Sequence, residues 1–287
     1  MTTLIPDARR KLFGGLFDHA ALLGPSPPTL ADAVEEYREL RGDSLGWTVG
    51  RFVVPVSRLE ELAGLLVRTM AGGEMPWSLT AVFDGDAAAD AALATSVHAL
   101  LDPAAPIDVV QISVPSSEYH DIEEAVVAAT AVHQEVFPMV RLGIDDAVSS
   151  VESIAQLGKR LLRPAGVVLA QDDAIADATA LTAAVRSLGE RGVTFAYDAD
   201  RVSVLTDSLT GDVGVVNLLA GVGHRSHTDT VRTILADDDS SAFDIGFGGL
   251  RWRDRASRSS TRTPLLSIGS RRPGALLGEL RLLGLET

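Results

Sequence analysis

Short apolar runs alternate with longer stretches whose apolar positions fall at helical spacing, and this alternation persists through most of the chain. The run Phe52-Val53-Val54-Pro55-Val56 predicts a first strand. Ser57-Arg58-Leu59-Glu60 follows with the spacing of a capping box and opens a helix with Leu59, Leu62, Leu65 and Leu66 on one side. Strands are likewise predicted over 78–83, 107–114, 137–142, 166–170 and 193–197, with helices over about 87–101 and 121–134 after the second and third. Val148, Val151, Ile154, Leu157 and Leu161 keep helical spacing after the fourth, and Ile175, Ala178, Leu181, Val185 and Leu188 do so after the fifth. Successive strands begin about 28 residues apart, the length of a strand plus its crossover helix. Their nearly continuous apolar character suits a parallel sheet covered on both faces.

Both ends of the chain are less regular. Residues 1–46 read as a helical preface: a short helix over 7–18, a break at Gly24-Pro25-Ser26-Pro27-Pro28, then Thr29 capping a helix over 30–40. After Tyr197 comes a long polar connection, with helices predicted over 213–222 and 228–235. A seventh strand is placed at 242–247 and an eighth at Leu265-Leu266-Ser267-Ile268. Eight strands in βα alternation predict an α/β fold, a TIM-barrel-like (β/α)8 domain spanning 1–287, with 1–46 as an N-terminal helical extension and 47–287 as the eight units. The competing open doubly wound sheet would carry a G-x-G-x-x-G after its first strand, and none is present there.

In a barrel, chemistry comes from the C-terminal ends of the strands, which narrows the search. Carboxylates dominate those positions. Asp198, Glu118 and Asp84 are the candidates for acid–base work, with Arg141, Gln171 and Tyr197 also at predicted strand ends. No metal site is assigned; a cofactor held by such oxygen donors would be a hard divalent cation such as Mg²⁺. The plainer explanation of Asp84-Gly85-Asp86 is turn and helix-cap chemistry. Two lysines, Lys11 and Lys159, stand at no predicted strand end, so a Schiff-base mechanism has no candidate nucleophile, and the absence of cysteine removes thiol chemistry.

Charge singles out one further stretch. The net charge is −14, which argues against nucleic-acid and anionic-membrane partners, yet residues 251–287 carry eight arginines against three acids. Among them, Gly269-Ser270-Arg271-Arg272 joins the last predicted strand to a helix opened by Pro273. Backbone N–H groups of such a turn, a helix N-terminus and two guanidinium forks predict an anion site there, the alternative being an ordinary βα turn with solvated arginines. No apolar run reaches membrane-spanning length and no signal-peptide core opens the chain, so a cytoplasmic location is expected.

Gly249-Leu250-Arg251-Trp252-Arg253-Asp254, Leu266-Ser267-Ile268-Gly269-Ser270 and Leu282-Leu283-Gly284-Leu285 carry a resemblance, as do Leu16-Phe17-Asp18-His19-Ala20-Ala21 and Val216-Asn217-Leu218-Leu219. On these residues the chain resembles an uncharacterised, largely actinobacterial group of barrel-like proteins. The resemblance implies a barrel. It also implies that the group's Arg-Thr-Gly-Gly after strand five and its Lys and His pair after strand six are replaced here by Leu169-Ala170-Gln171-Asp172 and Ala196-Tyr197-Asp198-Ala199. Two functions are therefore expected as alternatives. One is an enzyme acting on a small phosphorylated or carboxylated metabolite. The other is a catalytically inactive barrel that serves an active paralogue as partner or scaffold, with homo-oligomerisation also open.

Overall fold

A computed structural model describes residues 8–69, 74–102, 104–113, 119–171, 178–199, 202–207, 212–225, 227–246, 249–253, 255–256 and 262–282. In chain order the elements are α1 (Ala8–Phe13), β1 (Phe17–His19), α2 (Leu30–Gly42), β2 (Val49–Pro55), α3 (Leu59–Thr69), β3 (Leu79–Phe83) and α4 (Ala87–Leu101). Then follow β4 (Ile107–Ser113), α5 (Tyr119–Thr130), β5 (Phe137–Gly143), α6 (Ile144–Arg160), β6 (Gly166–Gln171), α7 (Ala178–Arg191) and β7 (Phe195–Ala199). The last third contains α8 (Val215–Gly223), α9 (Thr228–Leu235), β8 (Phe243–Gly246), β9 (Gly249–Trp252), β10 (Arg255–Ala256), β11 (Leu265–Ser270) and α10 (Pro273–Leu282).

Eight parallel strands close into a barrel in the order β1-β11-β7-β6-β5-β4-β3-β2, so the (β/α)8 expectation holds. Two of its parts are corrected. The first barrel strand is Phe17–His19, inside what reads as a helical preface, and only seven barrel strands lie within 47–287. Three residues, two of them polar, are too few to register as an apolar run, yet all three are buried. The second correction concerns 242–247. Phe243-Asp244-Ile245-Gly246 alternates apolar and polar residues, and it pairs antiparallel with β9 in a separate three-stranded sheet. That sheet and the two helices α8 and α9 form an excursion between β7 and β11.

The outward face of each strand packs on the helices in two large apolar clusters, one around α6, α7 and α8, the other around α2, α3 and α4. The inside is filled by smaller sets, Val109, Met139, Val168 and Ala196 on one side and Ala20, Val53 and Val82 on the other. Thr29 caps α2 as expected, its Oγ1 accepting the Asp32 N–H at 3.2 Å. The capping box at Ser57 does not form: α3 starts at Leu59, and the Ser57 hydroxyl turns instead to Asp84. No helix among the described residues is long and apolar enough to cross a membrane.

Candidate functional site

The strand ends at the barrel mouth bring two of the sequence-predicted features together. Parallel pairing sets Gly269 of β11 beside Asp198 of β7, and Asp198 beside Ala170 of β6. Asp198 points into the barrel and is only 3% exposed. Its Oδ2 takes an ion pair from Arg141 of β5, reaching across the small side chain of Ala170. Its Oδ1 is buried and has no hydrogen-bond partner among the described residues. A Cβ on residue 269 would stand 3.0 Å from that oxygen, so glycine leaves the space on the β11 side open.

The β11 turn itself is built differently from a bare amide cradle. Ser270 is buried, and its Oγ accepts the Arg272 N–H at 3.2 Å, which uses one of the donors an anion would need. Pro273 opens α10, as its position in the sequence predicts. Arg272 is exposed and Arg271 half-buried, its stem lying against Gly24 in the loop after β1. The turn therefore offers guanidinium groups more than backbone amides.

Asp84 stands apart from this set. The strand order places β3 on the far side of the barrel from β7, and Asp84 is exposed there. It accepts the Ser57 N–H at 3.0 Å and the Ser57 hydroxyl, tying the end of β2 to the end of β3. Asp90 accepts the N–H groups of Asp84 and Gly85 at 2.9 and 2.8 Å, and Asp86 caps α4. Here the turn-and-cap explanation is what the geometry shows. Glu118 lies outside the described residues. Tyr197 faces outward into the helical layer, its hydroxyl on Gln171 Oε1, and burial pushes its phenol well above the usual range.

Inside the barrel are polar groups that pattern reading missed: Asp18, Thr80, Gln111 and Ser267. Asp18 accepts the Arg51 N–H at 2.7 Å, and burial raises its carboxyl above the ordinary range against the pull of Arg51 and a hydrogen bond from Ser267. Gln111 interrupts the apolar run Val109-Val110-Ile112 in the middle of β4, a usable signal for an inward position; Asp18, in a three-residue strand, offers none. The space between Asp18, Gln111, Asp198 and Ser267 is about 10 Å³, enough for one water. A larger ligand must therefore sit above this layer or displace part of it. No group of three or more His, Asp or Glu suited to a metal ion occurs among the described residues.

The sequence matches no family model and no curated protein. Among solved structures, the chain is similar to QR15, an aldolase, at 9% identity and a TM-score of 0.51, over 98% of this chain and 100% of that one. It also aligns with a protein from Coccidioides immitis described as a fructose-1,6-biphosphate aldolase, at 14% identity and a TM-score of 0.44, over 81% of this chain and 94% of that one. The first likeness agrees with the strand order in defining the class, a closed (β/α)8 barrel. At such identity it extends to the fold alone.

Proposed function

We infer that the barrel mouth binds a small anionic metabolite and that the protein is an enzyme acting on it. The observation that carries this reading is the buried Oδ1 of Asp198, which has no hydrogen-bond partner among the described residues and is flanked by Ala170 and Gly269, next to the Arg271-Arg272 turn. A buried acceptor without a donor costs about 1–3 kcal/mol, more when charged. A ligand hydroxyl entering between the two small residues supplies that donor, and the same oxygen then takes or returns its proton. Arg141 holds the carboxylate in place, while Arg271 and Arg272 draw the anionic end. The likeness in fold to one aldolase supports a barrel of a kind that handles small metabolites, but a Schiff base has no residue to form on: Lys11 lies in α1 and Lys159 near the end of α6, both away from the mouth.

The test is thermal unfolding with sugar phosphates and hydroxycarboxylates. A true ligand at a hundred times its Kd stabilises by about 2.7 kcal/mol. The stabilisation should vanish in Arg271→Ala/Arg272→Ala, and turnover should vanish in Asp198→Asn. A panel without any shift, or a shift indifferent to the double variant, would overturn the reading. The inactive-partner alternative draws support from the nearly filled interior around Asp198. Co-purification with a paralogue, together with unchanged stability across the panel, would favour it.

A further inference from the structure

At the opposite end of the barrel, where the strands begin, a cavity of about 260 Å³ opens between β2 and α2, lined by Gly15, Tyr37, Arg41, Gly50, Arg51 and Ser78. It is far larger than the roughly 10–15 Å³ that a single water needs. In a chain of net charge −14 it is a basic place. Arg41 stacks its guanidinium 5.6 Å from the Tyr37 ring and donates to the Met75 and Pro76 carbonyls at 3.3 and 3.2 Å. Arg262 braces the adjoining backbone through the carbonyls of Gly14 and Gly15. Asp18 and Asp108 lie in electrostatic range of Tyr37, Asp18 also of Arg262, and Glu74, held by Arg38, lies in range of Arg41.

Arg51 is the unresolved group. Its side chain is 19% exposed and lies 3.7 Å from Asp18 Oδ2, too far for a hydrogen bond. Its Nε is buried with no hydrogen-bond partner among the described residues. A guanidinium offers five donors, and one withdrawn from water is stable only when paired and hydrogen-bonded. Asp18 pairs with it only at long range: its Oδ1 is taken by the Arg51 backbone N–H, and its Oδ2 stays beyond hydrogen-bond distance of the guanidinium. Gly50 keeps the approach narrow and fixed: a Cβ there would stand 2.5 Å from Asp18 Oδ1 and 2.7 Å from the Gly15 carbonyl oxygen.

We propose that this cavity is a second ligand site, one that holds a tetrahedral oxyanion of the phosphate or sulfate class between Arg51 and Arg41, with Ser78 at its rim. The site stands on the groups at the start of β2 and does not depend on the reading of the mouth. The oxyanion is either a free ion or the head of a phosphorylated metabolite, and the chemistry at Arg51 is the same for both.

Calorimetric titration of the whole protein with inorganic phosphate, sulfate and glycerol 3-phosphate tests it. One saturable site is expected in wild type, and also in Arg271→Ala/Arg272→Ala, which separates it from any site at the mouth. Arg51→Gln should weaken binding at least about tenfold, the size of one charge-assisted hydrogen bond. Ser78→Asp should do the same by placing a carboxylate at the half-exposed rim, and an unfolding curve of that variant checks that its fold survives. Tighter binding of inorganic phosphate identifies a free ion, and tighter binding of the ester identifies a phosphorylated metabolite. No saturable heat, binding retained in Ser78→Asp, or binding lost in the Arg271→Ala/Arg272→Ala variant overturns the proposal.

Discussion

The six-strand arc from β2 to β7 and the segment that closes it, β1 with the excursion and β11, are held in different ways. In the arc, Leu62, Ala94, Ile154, Leu181 and Leu188 are fully buried, and burial of apolar surface is roughly additive and indifferent to direction. In the closing segment, directed polar groups recur. Asn217 is fully buried, accepts the Thr206 N–H at 3.0 Å, and donates to the Ile234 and Asp237 carbonyls at 2.7 Å each. Arg262 binds the carbonyls that follow α1, and Asp18 receives the Arg51 N–H. Apolar contact alone tolerates many placements of a three-residue strand and a long connection. Bonds with fixed donors and acceptors tolerate one. The closing segment thus buys its register with polar groups whose removal costs more than their volume suggests.

The largest effect should come from Asn217→Leu, which keeps the volume and removes every one of those bonds. Orphaning several buried backbone groups costs about 4 kcal/mol, at about 1–3 each without full additivity. Leu181→Ala in the arc should cost about 3 kcal/mol through its cavity. The two differ in where they loosen the molecule. Amide hydrogen exchange should speed up over the excursion in the Asn217 variant while the arc stays protected, whereas the Leu181 variant should lower protection throughout. If Asn217→Leu costs less than Leu181→Ala, the contrast between the two regions is wrong.

Asp18 sharpens the contrast through pH. Because burial raises its carboxyl in the folded state, the native protein keeps that proton longer than the unfolded chain does. The associated stability is present below the ordinary carboxylate value of 3.8 and is lost as pH rises through the raised folded value. Asp18→Asn mimics the protonated form and should gain on wild type over that same rise, with the gain level at higher pH. Denaturant midpoints measured across the window decide it. A difference that does not change with pH would mean that Arg51 and Ser267 fully offset the burial.

The same contrast explains what was legible in the residues. The arc announces itself because strand and helix repeat with their own periods, and burial follows period. Helices α8 and α9 were readable for that reason too. Strand β1 was hidden because a barrel accepts a very short strand when its neighbours supply the order, and β8 misled because its alternation belongs to an antiparallel pair rather than to the barrel. At the mouth, Asp198 and the Gly269 turn were found as strand ends, but their adjacency depends on β11 pairing with β7, a long-range fact that no local pattern contains. Arg141 was one name among several strand-end residues until the barrel curved it toward Asp198. Arg51 could not be singled out at all, since its interest lies in a long pairing with Asp18 and an Nε without a hydrogen-bond partner among the described residues.

The smallest effect sharpens the picture at a single bond. Trp252 donates its Nε1–H to Asp237 Oδ2 at 2.8 Å, and Arg253 adds a bond to the same oxygen at 3.1 Å. Asp237 also gives its carbonyl to Asn217, so β9 is fastened to α8 through one residue. Trp252→Phe keeps an aromatic ring in this buried place and removes the indole donor, which should cost about 1 kcal/mol, the net worth of one hydrogen bond. A double-mutant cycle with Asp237→Ala measures the coupling directly. A coupling near zero would show that Trp252 holds β9 by its apolar area alone, and the closing segment would then resemble the arc at that point.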